Sequence, residues 1–451
     1  MSDTIVGIST ALGIGAISII RVSGEDAIKI VNMIFSGKNL EQVKSHTINY
    51  GYIKEDKKII DEVLVSVMLA PKTFTRENIV EINCHGGIIA TNKILELLLN
   101  KGCRLATPGE FSKRAFLNGR IDLIEAEGII DLINSKTELA HEMSINQLKG
   151  EVSNLIKNIR QKILKIIVNI EVNIDYPEYE DILEVTINEL KKEVSEIKTE
   201  ITRILKESKN GKIIKAGIKV AIVGKPNVGK SSLLNKLIEE EKAIVTDIPG
   251  TTRDIVEGTL NIDGLLLNII DTAGIRKTKD FIENIGVKRS LDQIKQADLI
   301  LYVLDYSNKI SKEELKTLDQ IKDKNYIIII NKIDLEKEIN DELLEKENII
   351  YISTYLTKGF KELKEKIKEK FNLEQILTKD LTYLTSARSI SILKEILLNI
   401  ESIEIGIKNN EYIDMIEIDL RKIWTQLGEI IGETYEEELL EQIFEQFCLG
   451  K

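Results

Sequence analysis

Between a short apolar run and a helical pattern lies Gly224-Lys225-Pro226-Asn227-Val228-Gly229-Lys230-Ser231. Its glycines let backbone N–H groups face phosphate oxygens. Lys230 can then reach the β- and γ-phosphates, the Ser231 hydroxyl suits Mg²⁺, and Ser232 continues into a helix read over 232–238. This loop selects phosphate but no base. Asn331-Lys332-Ile333-Asp334 selects guanine, because its terminal carboxylate can accept two hydrogen bonds from the guanine edge, and it follows the buried-strand pattern Tyr326–Ile330. Asp271-Thr272-Ala273-Gly274 ends the run Leu265–Ile270, where Asp271 can hold Mg²⁺ through water and Gly274 can meet the γ-phosphate with its N–H. Upstream, Thr251-Thr252-Arg253-Asp254 supplies a threonine to close on Mg²⁺, and Thr252 is the choice. Each piece has a plainer reading alone: a glycine-containing turn, a solvated Asn-Lys pair. All four in this order point to a GTP-hydrolysing site.

Ile275 follows the Asp-Thr-Ala-Gly segment, where Ras-like enzymes place a glutamine that orients the attacking water. An apolar side chain cannot do this. Water positioning and neutralisation of transition-state charge must therefore come from elsewhere.

The elements that must hold these residues alternate in period. Ile218–Val223 reads as a buried strand leading into the loop, with Gly211 and Gly217 bracketing the change from a helical pattern. Thr259–Ile262, Asp263-Gly264 and Leu265–Ile270 read as a β-hairpin with a type I′ turn. Strands and helices alternate until about residue 375. Before this unit, Leu155, Ile159, Ile163, Ile166, Ile167, Ile170 and Ile174 recur at helical spacing, Pro177 interrupts, and Leu190, Val194, Ile197, Ile201 and Ile204 follow. After it come Ile392, Leu393, Ile396, Leu397 and Ile400, then Ile413, Ile416, Leu420, Ile423, Trp424, Leu427 and Ile430. Neither helical flank makes a convincing core alone; together they predict a bundle into which the α/β unit is inserted. Residues 1–118 read as a separate α/β unit, with β-rich runs at Val63–Leu69 and Ile79–Ile82.

Composition sets outer bounds. With 451 residues, two to four domains are expected; 43% hydrophobic and 30% charged residues exclude a disordered chain. Apolar runs fall far short of a bilayer span and no signal-peptide pattern opens the chain, so a cytoplasmic, non-membrane protein is expected. Three cysteines, Cys84, Cys103 and Cys448, suggest no disulfide framework, and Cys84-His85 lacks companions at metal-ligand spacing. A net charge of −11 means that any RNA contact needs a local basic surface.

The segments GKPNVGKSSLL (224–234), TDIPGTTRD (246–254) and DTAGIR (271–276) resemble the tRNA-modification GTPases of the MnmE (TrmE) family, and are shared with ribosome-assembly GTPases. APKTFTRENIVEINCHGG (70–87), RLATPGEFSKRAFLNGRIDLIEAEGIIDLI (104–133) and the terminal Phe447-Cys448-Leu449-Gly450-Lys451 are similar to the MnmE family alone. The resemblance spans essentially the whole chain. It implies an N-terminal α/β folate-binding and dimerisation domain over 1–118, a discontinuous all-α domain over 119–215 and 376–451, and an inserted Ras-like P-loop GTPase domain with a mixed sheet over 216–375.

The family further implies that K⁺ sits beside the phosphates on Asn227, backbone oxygens of Thr246 and Ile248, and Thr251, in the charge-neutralising role of an arginine finger. Asp247, Pro249, Gly250, Thr272 and Ala273 join the GTP contacts, and Glu283 positions the water; read alone, Glu283 is one more solvated acid. Arg21, Glu81, Arg120 and Lys451 would contact a 5-formyltetrahydrofolate-like molecule. Arg120 stands where Lys is also found, and the loop Thr10–Gly15 lacks the family's Pro-Pro-Gly. Cys448 is implied to lie near the modification site; burial as a small apolar residue is the bland alternative, and the Cys-Leu-Gly-Lys end fits a prenylation signal poorly.

The activity implied is addition of a carboxymethylaminomethyl (or aminomethyl) group to C5 of the wobble uridine of certain tRNAs, by a homodimer working in a heterotetramer with a partner that carries FAD. The alternative is a ribosome-assembly GTPase acting as a nucleotide-gated binding switch. It accounts for residues 216–375 but leaves the N-terminal segments and the C-terminal motif unexplained.

Overall fold

The computed structural model describes all residues except 1–2, 12, 176–179, 241–257, 271–293, 341, 343, 345, 372–380, 436, 448–449 and 451; the side chains of 173–175, 180–187 and 240 are also outside the description. Near the N-terminus, seven strands form one sheet: β1 (Ile5–Ile8), β2 (Ile17–Ser23), β3 (Phe35–Ser36), β4 (Thr47–Glu55), β5 (Lys58–Met68), β6 (Ile79–His85) and β7 (Arg104–Leu105). Their order is β3-β4-β5-β6-β2-β1-β7, antiparallel apart from the β1–β7 pair. Helices α1 (Ala27–Ile34) and α2 (Ile88–Asn100) cover one face, burying Val22, Val31, Ile82, Ile94 and Leu98. Alternation puts Arg21 and Glu81 on the opposite face from these core residues. Helix α3 (Glu110–Leu117) follows β7.

Helices α4 (Leu123–Asn134) and α5 (Glu138–Leu148) lead into the long α6 (Glu151–Asp175) and α7 (Glu180–Ala216). A capping box at Asp122 and Glu125 starts α4, each side chain accepting from the other's backbone N–H. Beyond the inserted α/β unit come α11 (Ala387–Lys408), α12 (Ile413–Ile431) and α13 (Glu437–Phe444), with α8–α10 belonging to that unit. Helix α6 packs on α12, α12 on α11, α11 on α7 and α7 on α6, closing a ring of four. Its core includes Ile159, Ile163, Ile197, Ile201, Leu393, Ile400, Leu420 and Ile423. Each such side chain contributes roughly 1.5–3 kcal/mol on burial. Two helices precede the insertion and two follow it, so the bundle exists only when both flanks meet. The apolar stripe of α6 begins with Val152 and Ile156; Leu155 is only half-buried.

The inserted unit has β8 (Ile218–Val223), α8 (Lys230–Glu240), β9 (Thr259–Ile262), β10 (Leu265–Ile269), β11 (Leu299–Asp305), α9 (Lys312–Ile321), β12 (Tyr326–Asn331), β13 (Ile349–Tyr351) and α10 (Phe360–Lys370). Strand order is β13-β12-β11-β8-β10-β9, parallel except for the β9–β10 hairpin. Succession runs one way from β8 to β10 and the other way from β11 to β13, leaving a crevice beyond the carboxyl ends of β8 and β11. The hairpin turn has positive φ at both Asp263 and Gly264, 48° and 90°, as the Asp-Gly pair predicts. One expectation needs correction. Gly211 is no boundary, because α7 runs through it to Ala216; a Cβ there would lie 2.8 Å from Tyr383 Cβ, so close packing requires this glycine. Gly217, at φ 73°, is the break.

Candidate functional site

Strand β8 is buried along its apolar residues and delivers the chain to a loop over 224–229 that opens directly into α8. Asn227 adopts φ 64°, a conformation asparagine tolerates better than most residues, and Gly229 adopts φ 101°. A Cβ on Gly229 would stand 2.1 Å from the Asn331 amide nitrogen, so the close approach of the second loop demands glycine. Val228 is buried beneath the loop, whereas Asn227 is exposed on its outer side. Lys230 donates to the carbonyls of Gly224 (2.8 Å) and Lys225 (2.6 Å), bridging the loop at its base. Burial pulls the Lys230 ammonium below its ordinary value. Ser231 and Ser232 occupy the first turn of α8, Ser231 half-buried and Ser232 exposed. The loop suits phosphate, and the Ser231 hydroxyl suits Mg²⁺, a hard cation that prefers oxygen ligands.

Asn331 ends β12 with 0% exposure, and its side chain is committed to the protein. Its Nδ2 donates to the Val228 carbonyl at 2.9 Å, and its Oδ1 accepts from the Thr354 N–H at 3.2 Å. It therefore braces the phosphate loop against the segment after β13. Lys332, at φ 68°, pairs with Asp305, and Asp334 is exposed and accepts from the Ser353 hydroxyl. Burial alone would raise the Asp305 carboxyl, but hydrogen bonds from Lys332 and Ser307 outweigh it and hold the group low. Asp305, Ser353 and Thr354 escape the sequence reading. The signal available was a polar residue at the end of each parallel strand beside the crevice.

Arg21, Glu81 and Arg120 gather on the N-terminal sheet. Register pairs Gly7 with Arg21, and Arg21 with Glu81, in a line across β1, β2 and β6. Arg21 Nε donates to Glu81 Oε1 at 2.8 Å. The Arg21 guanidinium lies 6.0 Å from the Phe74 ring centre and 5.6 Å from that of Phe111, and Arg120 lies 5.8 Å from Phe74. Phe74 thus faces both cations, and neither aromatic was singled out from sequence. The C-terminal tail reaches the same line. Gly450 Cα would lie 3.3 Å from a Cβ on Gly7, and the Ser9 hydroxyl donates to the Gly450 carbonyl at 3.0 Å. Phe444 and Phe447 anchor the tail against Phe116 and Leu123. A carboxylate acceptor beside two guanidinium donors can meet both N–H donors and anionic groups of one ligand.

Comparison with known proteins adds two matches that together run nearly end to end. The model described as the MnmE helical domain matches residues 123–448, and that described as the GTP-binding protein TrmE N-terminus matches residues 4–120. The chain is also 51% identical to the tRNA modification GTPase MnmE of Bacillus mycoides (strain KBAB4) over 100% of its own length and 99% of the relative's.

The chain belongs to the MnmE family.

The MnmE of Bacillus cytotoxicus (strain DSM 22905 / CIP 110041 / 391-98 / NVH 391-98) is likewise 51% identical over 100% of this chain and 99% of its own. Among solved structures, the G domain of the T. maritima FeoB iron transporter is 28% identical, covering 34% of this chain and 98% of its own, with a TM-score of 0.24. Of the site residues expected from the sequence or from the MnmE resemblance, Thr246, Asp247, Ile248, Pro249, Gly250, Thr251, Thr252, Asp271, Thr272, Ala273, Gly274, Glu283, Cys448 and Lys451 lie outside the described residues. Cys84 is buried, its thiol 3.4 Å from the Ser18 carbonyl, and His85 pairs with Asp61 at 2.6 Å. No helix among the described residues is long and apolar enough to cross a membrane.

Proposed function

We propose that this protein is a tRNA-modification GTPase that adds a carboxymethylaminomethyl (or aminomethyl) group to C5 of the wobble uridine of certain tRNAs, with an FAD-dependent partner. The observation that carries this reading is end-to-end membership of the MnmE family, together with a phosphate loop and a base-reading loop braced onto one another by Asn331. Four units follow from it: 1–118 for folate and dimerisation, 119–215 and 376–451 for the helical body, and 216–375 for GTP hydrolysis.

In the GTPase unit, backbone N–H groups of Asn227, Val228 and Gly229 hold the phosphates, Lys230 meets their negative charge, and Asp334 reads the guanine edge. Ser231 and Thr252 hold Mg²⁺, with Asp271 behind it. Asn227, Thr246, Ile248 and Thr251 hold K⁺, which supplies the charge neutralisation that Ile275 and the loop cannot. Glu283 orients the attacking water. In the N-terminal unit, Arg21, Glu81, Arg120 and Lys451 hold a 5-formyltetrahydrofolate-like donor of the one-carbon unit. The seating of Gly450 on β1 supports this, because it brings that residue of the C-terminal motif beside the Arg21–Glu81 line. The working protein is a cytoplasmic homodimer that forms a heterotetramer with its flavin-bearing partner and acts on tRNA.

The test is mass spectrometry of tRNA nucleosides from cells lacking the protein, then complemented with wild type or Glu283→Ala. Loss of the C5 modification, restored by wild type alone, is expected. An unchanged nucleoside profile in the deletion would overturn the reading and leave a nucleotide-gated switch.

A further inference from the structure

Two carboxylates of α4, Glu127 and Asp131, stand one helical turn apart. They meet the chain at both places where it crosses between the helical body and the GTPase unit. Asp131 is 7% exposed. Its Oδ1 takes Lys215 Nζ at 2.6 Å, at the end of α7 just before β8. Its Oδ2 accepts from Thr385 Oγ1 at 3.1 Å, on the segment returning to the bundle. Glu127 accepts from Ser386 Oγ at 3.0 Å and pairs with Arg388 at 3.3 Å. The returning segment is fastened twice more, by Thr382 to Glu151 (3.3 Å) and by Asn146 Nδ2 to the Leu381 carbonyl (3.4 Å).

A third fixed point lies on α5. Leu139 packs over the tip of the β9–β10 hairpin, where a Cβ on Gly264 would stand 2.8 Å from Leu139 Cδ1. Ala140 and Met143 of the same helix join the core beneath the GTPase sheet. Along the chain this hairpin joins the segments 241–257 and 271–293, which include the proposed Thr246, Ile248, Thr251, Thr252 and Glu283. At its other end α4 begins three residues beyond Arg120. Its Leu123, Ala126 and Ile129 pack with Leu440, Ile443, Phe444 and Phe447, which lead to Gly450 on β1. The α4–α5 pair therefore touches both crossings, the hairpin, and two of the segments that form the Arg21–Glu81–Arg120 constellation.

We infer that α4–α5 is the relay through which the nucleotide state sets the affinity of the folate site, with Asp131 as the positioning residue that registers the GTPase unit on it. This rests on the folate reading above. Asp131 acts by geometry. A buried carboxylate held by groups from two separate segments has one well-satisfied arrangement, and releasing either partner strands a charge. Displacement of the GTPase unit at either crossing therefore moves α4 with it. Linkage makes the effect reciprocal: folate must change the ratio of GTP to GDP affinity by the same factor.

The experiment uses the full chain with Mg²⁺ and K⁺, loaded with GDP or a non-hydrolysable GTP analogue. It records 5-formyltetrahydrofolate affinity by calorimetry and amide exchange of α4–α5 peptides. In wild type the two folate affinities should differ at least about fivefold, and α4–α5 exchange should differ between nucleotides. In Asp131→Asn and in Lys215→Met both differences should collapse, with nucleotide affinity kept; Lys215→Arg should retain them. A merely structural role predicts lower stability with the ratio intact, which would overturn the inference. So would equal folate affinities in wild type, or exchange in α4–α5 that ignores the nucleotide. If folate binds in neither state while α4–α5 exchange still follows the nucleotide and is lost in Asp131→Asn, the folate reading falls and the relay from nucleotide to α4–α5 stands.

Discussion

Asn331 offers the sharpest quantitative test of how the nucleotide site is held. Replacing it by Ala removes a donor to the Val228 carbonyl at 2.9 Å and an acceptor from the Thr354 N–H at 3.2 Å. The two losses are unequal. Val228 is buried, so its carbonyl remains without a partner, at a cost of about 1–3 kcal/mol. Thr354 is half-buried and water can reach its N–H, so that loss is smaller. A total near 2 kcal/mol is expected, set against the free energy that keeps the phosphate loop in its binding shape. At about 1.4 kcal/mol per factor of ten, the competent fraction falls by up to about 30-fold, and apparent affinity falls with it. Titration with fluorescent GDP should show a 10- to 30-fold higher Kd, on the order set by that arithmetic. Asn331→Asp keeps the acceptor for Thr354 but turns a carboxylate oxygen on the Val228 carbonyl, so it should be no better than Ala. Affinity within twofold of wild type for both variants would refute the brace.

Three further outcomes follow from the same geometry. Asp334→Asn exchanges an acceptor of guanine N–H groups for a donor, so GTP binding should fall at least about 100-fold while xanthosine triphosphate gains, in competition assays. Arg21→Met removes the partner of Glu81 and a charge-assisted donor, so 5-formyltetrahydrofolate affinity should fall about tenfold or more by calorimetry, with GTP hydrolysis within twofold of wild type. Burial alone would raise the Glu110 carboxyl, but hydrogen bonds from Arg104, the Thr107 N–H and Arg114 outweigh it and hold it below the ordinary 4.5. A carboxylate held low in the fold adds stability that is complete above its unfolded value and vanishes as pH falls through its folded value. The stability gap between wild type and Glu110→Gln should thus be constant above about pH 5.5 and close below pH 4.5, read by amide exchange of the N-terminal sheet.

The phosphate loop and the strand that delivers it were legible without coordinates because they form one contiguous segment. Loop 224–231 carries its own glycines and lysine, and local backbone geometry sets what those residues can touch. The apolar stripes of α6, α7, α11 and α12 were legible for the same reason, since a helix writes its buried face into its period. The partnership among those helices was not, because α6 meets α12 across more than two hundred residues of chain and periodicity carries no record of which stripe faces which. Gly211 illustrates the limit: read locally it breaks a helix, whereas packing against Tyr383 is what requires it.

The Arg21, Glu81 and Arg120 constellation is the other case. Read singly, each is an ordinary surface charge, and only resemblance to the MnmE family drew them together. Strand register pairs Arg21 with Glu81, and a slip of one residue would turn either side chain to the opposite face. Phe74 and Phe111 join them from a loop and from α3, and Gly450 arrives from the far end of the chain. Sequence alone determined which reactions the residues can support and which segments must be helix or strand, because those depend on neighbours along the chain. The tertiary structure decided that Asn331 serves as a brace, that Asp131 holds both crossings, and that the C-terminal tail closes on β1. Each depends on groups far apart in sequence, brought within hydrogen-bonding distance only by burial of the apolar faces between them.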